Sequence, residues 1–321
     1  MIAREHLPLP AIAAEVAQGL RRSPKSLPPW LFYDQRGSAL FEEITRLPEY
    51  YLTRTERCIL ETHGDEICRL AGSNLTVVEL GAGTADKTRI LLRRLLRRQL
   101  KLRYVPVDVS FAALESAEQR LRAELPELDV RPIVADYTMD ALRPDDIAGR
   151  KLVLYLGSSI GNFEPEAAKK LLSHVRAGLR PGDCLLLGAD RVKPESVLLP
   201  AYDDAQGVTE AFNKNMLARI NRELGADFEL ANFRHIAEWN APASRIEIYL
   251  ESVCRQSVRI GFLQMSVDFQ AGERLHTENS YKYTEDAVRE MLAAAGFVLE
   301  RTFSDPRQWF GVHLARVPGK G

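Results

Sequence analysis

The chain has 321 residues, a formal net charge of −1, 45% hydrophobic and 27% charged residues. At about 150 residues per domain, that length gives two domains or one with a large insertion. Near-neutrality excludes a long-range pull toward nucleic acid or an anionic membrane and suits a small-molecule substrate.

The N-terminal 55 or so residues show no strand–helix alternation, and Glu5 and Glu15 interrupt what would have to be the apolar core of a signal peptide. LTVVELGAG (75–83) is an apolar run ending in glycines, the pattern of a buried parallel strand and a tight turn. An amphipathic helix follows, with Ile90, Leu91 and Leu95 on one face, flanked by Leu92 and Leu96. Arg93, Arg94, Arg97 and Arg98 lie opposite, which reads as a solvated outer face rather than a nucleic-acid patch. The alternation repeats: strand 103–110, a helix capped by Ser110, strands over 129–137 and 151–159, a helix from Pro165, and a strand over 181–190. Residues 193–281 break the pattern with a polar helical stretch and alternating strand-like runs. TEDAVREMLAAAGF then reads as a helix stopped by Gly296, and FVLERTFSD and WFGVHLARV as an antiparallel pair.

This order predicts an α/β fold with a doubly wound parallel sheet. The sheet domain is expected over 57–192 plus 282–321. An α+β lobe over 1–56 plus 193–281 would cover one edge and form the substrate side of a cleft at the carboxyl ends of the strands. Cys58, Cys68, Cys184 and Cys254 form no C-x-x-C pair, and the six histidines are scattered, so no metal is expected. No apolar run reaches the ~18 residues of a membrane span. A cytoplasmic protein is expected, with a monomer as the simplest reading of an oligomeric state that the sequence does not fix.

The chemistry begins at E-L-G-A-G-T-A-D (79–86), where Gly81 and Gly83 let the backbone approach a ligand. Asp86 stands where a dinucleotide fingerprint carries its third glycine, which disfavours a nicotinamide oxidoreductase. Lys87 reads either as a solvated lysine or, with nearby N–H groups, as the seat of a carboxylate. Asp108 ends the second strand, where an acid can accept both ribose hydroxyls of an adenosine. Asp136 and Tyr137 end the third, where a carboxylate can take an adenine amino group and a ring can pack on the base. The three signals occur in order at successive strand ends.

Several unusual strings converge on one family. KSLPPWLFYDQRGSALFEEITRLPEYYLTRTE (25–56), ELGAGTADKT, LGSSIGNF (156–163), AYDDAQGVTEAFNKN (201–215) and HTENSYKYT (276–284) resemble the histidine Nα-methyltransferases of ergothioneine biosynthesis over nearly the whole chain. The resemblance implies a Rossmann-like methyltransferase sheet of five parallel strands closed by an antiparallel hairpin, with S-adenosyl-L-methionine as methyl donor. It implies that Tyr51 lies beside the substrate amine with Tyr33 nearby, that Asn162 and Tyr202 bind the carboxylate, and that Glu278 and Ser280 bind the imidazole. Gly81, Lys87, Asp108, Asp136 and Tyr137 correspond to donor contacts.

Physical chemistry bears on these roles independently. In an extended HTENSYKY, Glu278 and Ser280 share a face, and a carboxylate with a hydroxyl can satisfy both imidazole nitrogens. Without the resemblance, Glu278 reads as a surface acid paired with Lys282, and Asn162 as a cap for the Pro165 helix. One position departs from the family, which commonly has methionine at Ile248. Ile246, Ile248 and Leu250 alternate onto one face, and a stiff β-branched group in the side-chain pocket would change its shape. The expected reaction is Nα-methylation of free histidine, carried to the trimethylated product. The alternatives are the same chemistry on another α-amino acid or small amine, or a non-catalytic binding protein with the same fold.

Overall fold

The computed structural model describes residues 9–135, 137 and 149–319. The described residues up to Tyr51, with Lys193–Ser280, form one compact unit; the described residues of Leu52–Val192 and from Tyr281 onward form a second. The first junction falls at 51/52 rather than 56/57, beside the start of a long helix at Tyr51.

In chain order the first unit opens with α1 (Leu9–Arg21) and α2 (Gln35–Ile44). Helix α3 (Tyr51–Ala71) leads into the second unit, where β1 (Leu75–Leu80), α4 (Arg89–Leu96), β2 (Leu102–Asp108) and α5 (Phe111–Glu124) follow. The expected third strand is two short pieces, β3 (Leu128–Val130) and β4 (Ile133–Val134). Then come β5 (Arg150–Tyr155), α6 (Pro165–Ala177) and β6 (Cys184–Asp190). The chain returns to the first unit for α7 (Glu195–Leu198), α8 (Val208–Leu224), β7 (Phe233–Asn240), β8 (Arg245–Ser252), β9 (Gln256–Ile260), β10 (Met265–Phe269) and β11 (Arg274–Tyr281). It ends with α9 (Glu285–Ala294), β12 (Val298–Ser304) and β13 (Phe310–Arg316).

The second unit is built on a sheet ordered β12-β13-β6-β5-β1-β2-β3, with β4 also on β2. The pairs from β6 through β5, β1 and β2 to β3 and β4 are parallel, and β13 runs antiparallel to both β6 and β12. Every residue of β1 and β6 is buried, as strands covered on both faces must be. Val78, Val105, Val153 and Leu185 meet Leu171 and Leu172 of α6 and Leu292 of α9 in one core. Local signals end the helices as expected: Ser110 accepts from Ala113 N (3.3 Å) at the start of α5, and Gly296 takes φ +85° after α9. Arg93, Arg97 and Arg98 are exposed, as expected of a solvated outer face, and Arg93 together with Arg89 pairs with Glu124 of α5.

In the first unit β7 and β8 pair antiparallel and β11 lies on the other side of β8. Residues 246, 248, 250 and 252 of β8 are buried, and the residues between them are partly exposed. Phe228, Phe233 and Phe269 close this core with ring centroids 5.3 to 6.3 Å apart. Asp34 caps α2 through Gly37 N (2.7 Å) and accepts from Asn215 of α8 (2.8 Å), which ties the two helices.

Candidate active site

The second unit carries a rigid glycine turn after β1. Gly81 (φ +67°) and Gly83 (φ +49°) both occupy the left-handed region that favours glycine. Gly81 donates to Val107 O (2.8 Å), and Gly83 N donates to Oδ2 of Asp108 (3.1 Å). Ser110 N donates to the other oxygen of Asp108 (3.0 Å), so that carboxylate at the end of β2 clamps the turn. A Cβ on Gly83 would meet nothing within 4 Å, which leaves space against the backbone there. Tyr137 sits beneath: a Cβ on Gly81 would lie 3.1 Å from its hydroxyl, and its ring, 2% exposed, meets Tyr155 edge-on at 5.7 Å. The ring is therefore part of the core rather than an open stacking face. Asp136 lies outside the described residues.

Lys87 lies just before α4, whose N-cap is Thr88. Its ammonium pairs with Glu56 of α3, a carboxylate with no exposed surface that also accepts from Gly157 N at 2.8 and 3.0 Å. A Cβ on Gly188 would lie 2.1 Å from Oε1 of Glu56, so β6 carries glycine where that carboxylate passes. Sequence reasoning missed Glu56, although a signal exists: it interrupts the buried stripe Leu52, Ile59, Leu60, Ile67 of α3. Asp86 pairs with Arg57, Arg89 and Arg120, a structural reason for an acid at that place. Behind the turn, burial pushes the Glu79 carboxyl up to about 7, against hydrogen bonds from Thr88 and Tyr104.

The GSSIGN string is a tight turn after β5. Ser158 takes φ +58° and its hydroxyl accepts from Asp190 N (2.8 Å). A Cβ on Gly161 would lie 2.7 Å from Tyr281 O. Asn162 ends this 3-10 turn, partly exposed; it does not cap α6, whose N-cap is Glu164. The Glu164 carboxylate instead accepts from the Tyr281 hydroxyl (2.6 Å).

The other expected residues lie in the first unit. Tyr51 is 4% exposed and accepts a hydrogen bond from Lys193 Nζ at 2.8 Å, a partner that no periodicity signals. The hydroxyls of Tyr202 and Ser280 meet at 2.9 Å, which joins one residue expected at the carboxylate with one expected at the imidazole. Asn213 Nδ2 lies 2.9 Å from Nδ1 of His235, whose Nε2 lies 2.8 Å from Tyr202 O. With the amide donating to Nδ1, Nε2 is the nitrogen that donates, and it holds the Tyr202 main chain. Glu278 is 8% exposed, not a surface acid; Lys282 pairs with Asp190 at 3.0 Å in the second unit. Burial, then the Glu278 carboxylate and Tyr50, push the Tyr33 phenol well above its ordinary range, so it stays protonated as a donor. Ile248 is 3% exposed on the buried face of β8, and its carbonyl accepts from Thr277 of β11 (3.1 Å).

Among the described residues, no group of three or more His, Cys, Asp or Glu is arranged to hold a metal, and no helix is long and apolar enough to cross a membrane. Residues 12–317 match the family described as "Histidine-specific methyltransferase, SAM-dependent". The chain is 47% identical over 95% of its length to a histidine N-alpha-methyltransferase of Mycolicibacterium smegmatis, covering 94% of that protein. It is 44% identical, with the same coverages, to a histidine N-alpha-methyltransferase of Mycobacterium tuberculosis. A match at 32% identity over 91% of the chain covers 33% of the ergothioneine biosynthesis protein 1 of Neurospora crassa. The strand order, the glycine turn with its Asp108 clamp and the match over nearly the whole chain agree, and the protein belongs to the S-adenosylmethionine-dependent histidine-specific methyltransferase family.

Proposed function

We propose that this methyltransferase acts on the α-amino group of free L-histidine and carries it through three methylations to the trimethyl betaine. The observation that carries the substrate reading is on β11: a buried carboxylate, Glu278, and a buried hydroxyl, Ser280, two residues apart and so on one face. Such a pair can accept from one imidazole nitrogen and donate to the other, which an apolar pocket cannot do. The names of the mycobacterial relatives favour the same substrate. A cytoplasmic enzyme taking only small molecules, without a metal, fits this reading.

The donor residues are consistent with S-adenosylmethionine. Asp108 keeps acceptor capacity beyond its two backbone donors and suits the ribose hydroxyls, and Gly83 leaves room for a ligand against the backbone. Asp136 is assigned to the adenine amino group, with Tyr137 supporting the turn. Lys87, its side chain 21% exposed, can reach the methionine carboxylate while Glu56 behind it acts only by fixing its position. When bound, the donor supplies an electrophilic methyl group on a sulfonium. Charge moves from sulfur to nitrogen with little created, so alignment is the main task of the protein. Tyr51 is assigned to orient the amine and Asn162 and Tyr202 to hold the carboxylate. Tyr33, held protonated, serves as a donor and not as a base; the amine proton leaves to water, with no dedicated general base.

Incubation with histidine and S-adenosylmethionine, followed by mass spectrometry, is expected to give successive mono-, di- and trimethylated histidine. No methylated histidine, or accumulation of the monomethyl product alone, would overturn the respective part. A second reading, another α-amino acid, is favoured by Ile248 where the resembled family commonly has methionine. Competition among amino acids decides it, since a preferred rival would suppress histidine methylation at equal concentration.

A further inference from the structure

Lys193 is the first residue of the second segment of the first unit, and it is only 8% exposed. A lysine is rarely buried this far without a partner that offsets its lost hydration. Its Nζ lies 2.8 Å from the Tyr51 hydroxyl and 4.6 Å from the centre of that ring. Those two distances set the ammonium off the phenol oxygen rather than above the ring. An ammonium has donors only, so the phenol oxygen must accept. One lone pair of Tyr51 is thereby committed to Lys193, and the O–H proton is turned away from it. A charge-assisted bond of this kind is shorter and stronger than a neutral one, and it fixes both the place and the rotor of the hydroxyl.

We propose that Lys193 is a positioning residue for the methyl transfer, which sets the Tyr51 hydroxyl against the substrate amine by donating to its oxygen. The inference rests on the assignment of Tyr51 to the amine made above. The reaction depends on alignment, so loss of the restraint on Tyr51 reaches the rate before it reaches donor affinity.

The test is a square of four proteins: wild type, Lys193→Met, Tyr51→Phe and the double variant, with Lys193→Arg as the charge-keeping control. Lys193→Met is expected to lower kcat for histidine roughly 10- to 100-fold, as loss of a charged hydrogen bond does, with affinity for S-adenosylhomocysteine within about twofold. Arginine should recover part of the loss. In the Tyr51→Phe background, Lys193→Met should cost less than about twofold, because the oxygen it serves is gone. Equal loss in both backgrounds, or none in either, overturns the proposal. Histidine affinity by calorimetry closes the same square where turnover is too slow to follow. The ultraviolet band of Tyr51, isolated by subtracting the spectrum of Tyr51→Phe, should shift on Lys193→Met; an unmoved band also overturns the proposal. If the wild type prefers another amino acid, the histidine reading fails while the square, run with that amine, and the spectrum still decide the role of Lys193.

Discussion

Asp108 and Glu278 are both acids near the end of a strand, yet their surroundings give them different tasks. Asp108 accepts from Gly83 N of the glycine turn and from Ser110 N at the start of α5, and it remains partly exposed, so a ligand hydroxyl can reach it. Glu278 is buried on β11, beside Tyr33, whose phenol its charge helps to keep protonated. Glu278→Ala is therefore expected to weaken histidine roughly 10- to 100-fold while donor affinity stays within about twofold, and Asp108→Ala to do the reverse. Calorimetry with each ligand reads both, and equal losses for one variant would assign that residue to the fold instead. The type and spacing of Glu278 and Ser280 were legible in HTENSYKYT because a strand alternates with period two. The Tyr202–Ser280 contact was not legible, since 78 residues separate its members.

At the scale of elements, α3 shows how a buried charge organises its neighbours. Glu56 interrupts the apolar stripe of the helix and is satisfied by Lys87 before α4 and by Gly157 after β5. The cost appears on β6, where position 188 must be glycine. Gly188→Ala is expected to destabilise the protein by about 1–3 kcal/mol, the usual range for an overpacked core, and to weaken the donor through Lys87. Urea unfolding checks the first effect and calorimetry the second; unchanged stability would show that Glu56 moves freely. The boundaries of α5, α6 and α9 could be read from Ser110, Pro165 and Gly296, which act within one helical turn. Nothing local marked Lys87 as lying outside α4, because the turn that precedes the helix depends on Ala85 taking φ +52°.

For the whole molecule, two buried titratable groups shape stability against pH in opposite directions. The Glu79 carboxyl is raised by burial to about 7 from an ordinary value of 4.5. The folded state therefore keeps a proton that the unfolded chain has released, and this stabilisation, complete below pH 4.5, is lost as pH rises to 7. His313 is lowered by burial, and then by Arg191 and Arg289, to about 3 from 6.5. Its contribution is present above pH 6.5 and is lost as pH falls toward 3. Glu79→Gln should flatten the fall in Tm between pH 5 and 8 and leave the acid limb set by His313 steeper. Parallel Tm curves for variant and wild type would remove Glu79 from this role.

The sequence by itself determined what repeats or acts locally: the strand–helix alternation, the buried faces of β1 and β8, the glycine turn, the helix caps and the strings that carry the family resemblance. Tertiary structure alone decided that β13 enters the sheet between β6 and β12, that Glu56 holds Lys87, and that Lys193 serves Tyr51. Periodicity reports which face of an element is hidden because one chain segment sets it. What that face meets depends on packing summed over segments as far apart as the 142 residues between Tyr51 and Lys193.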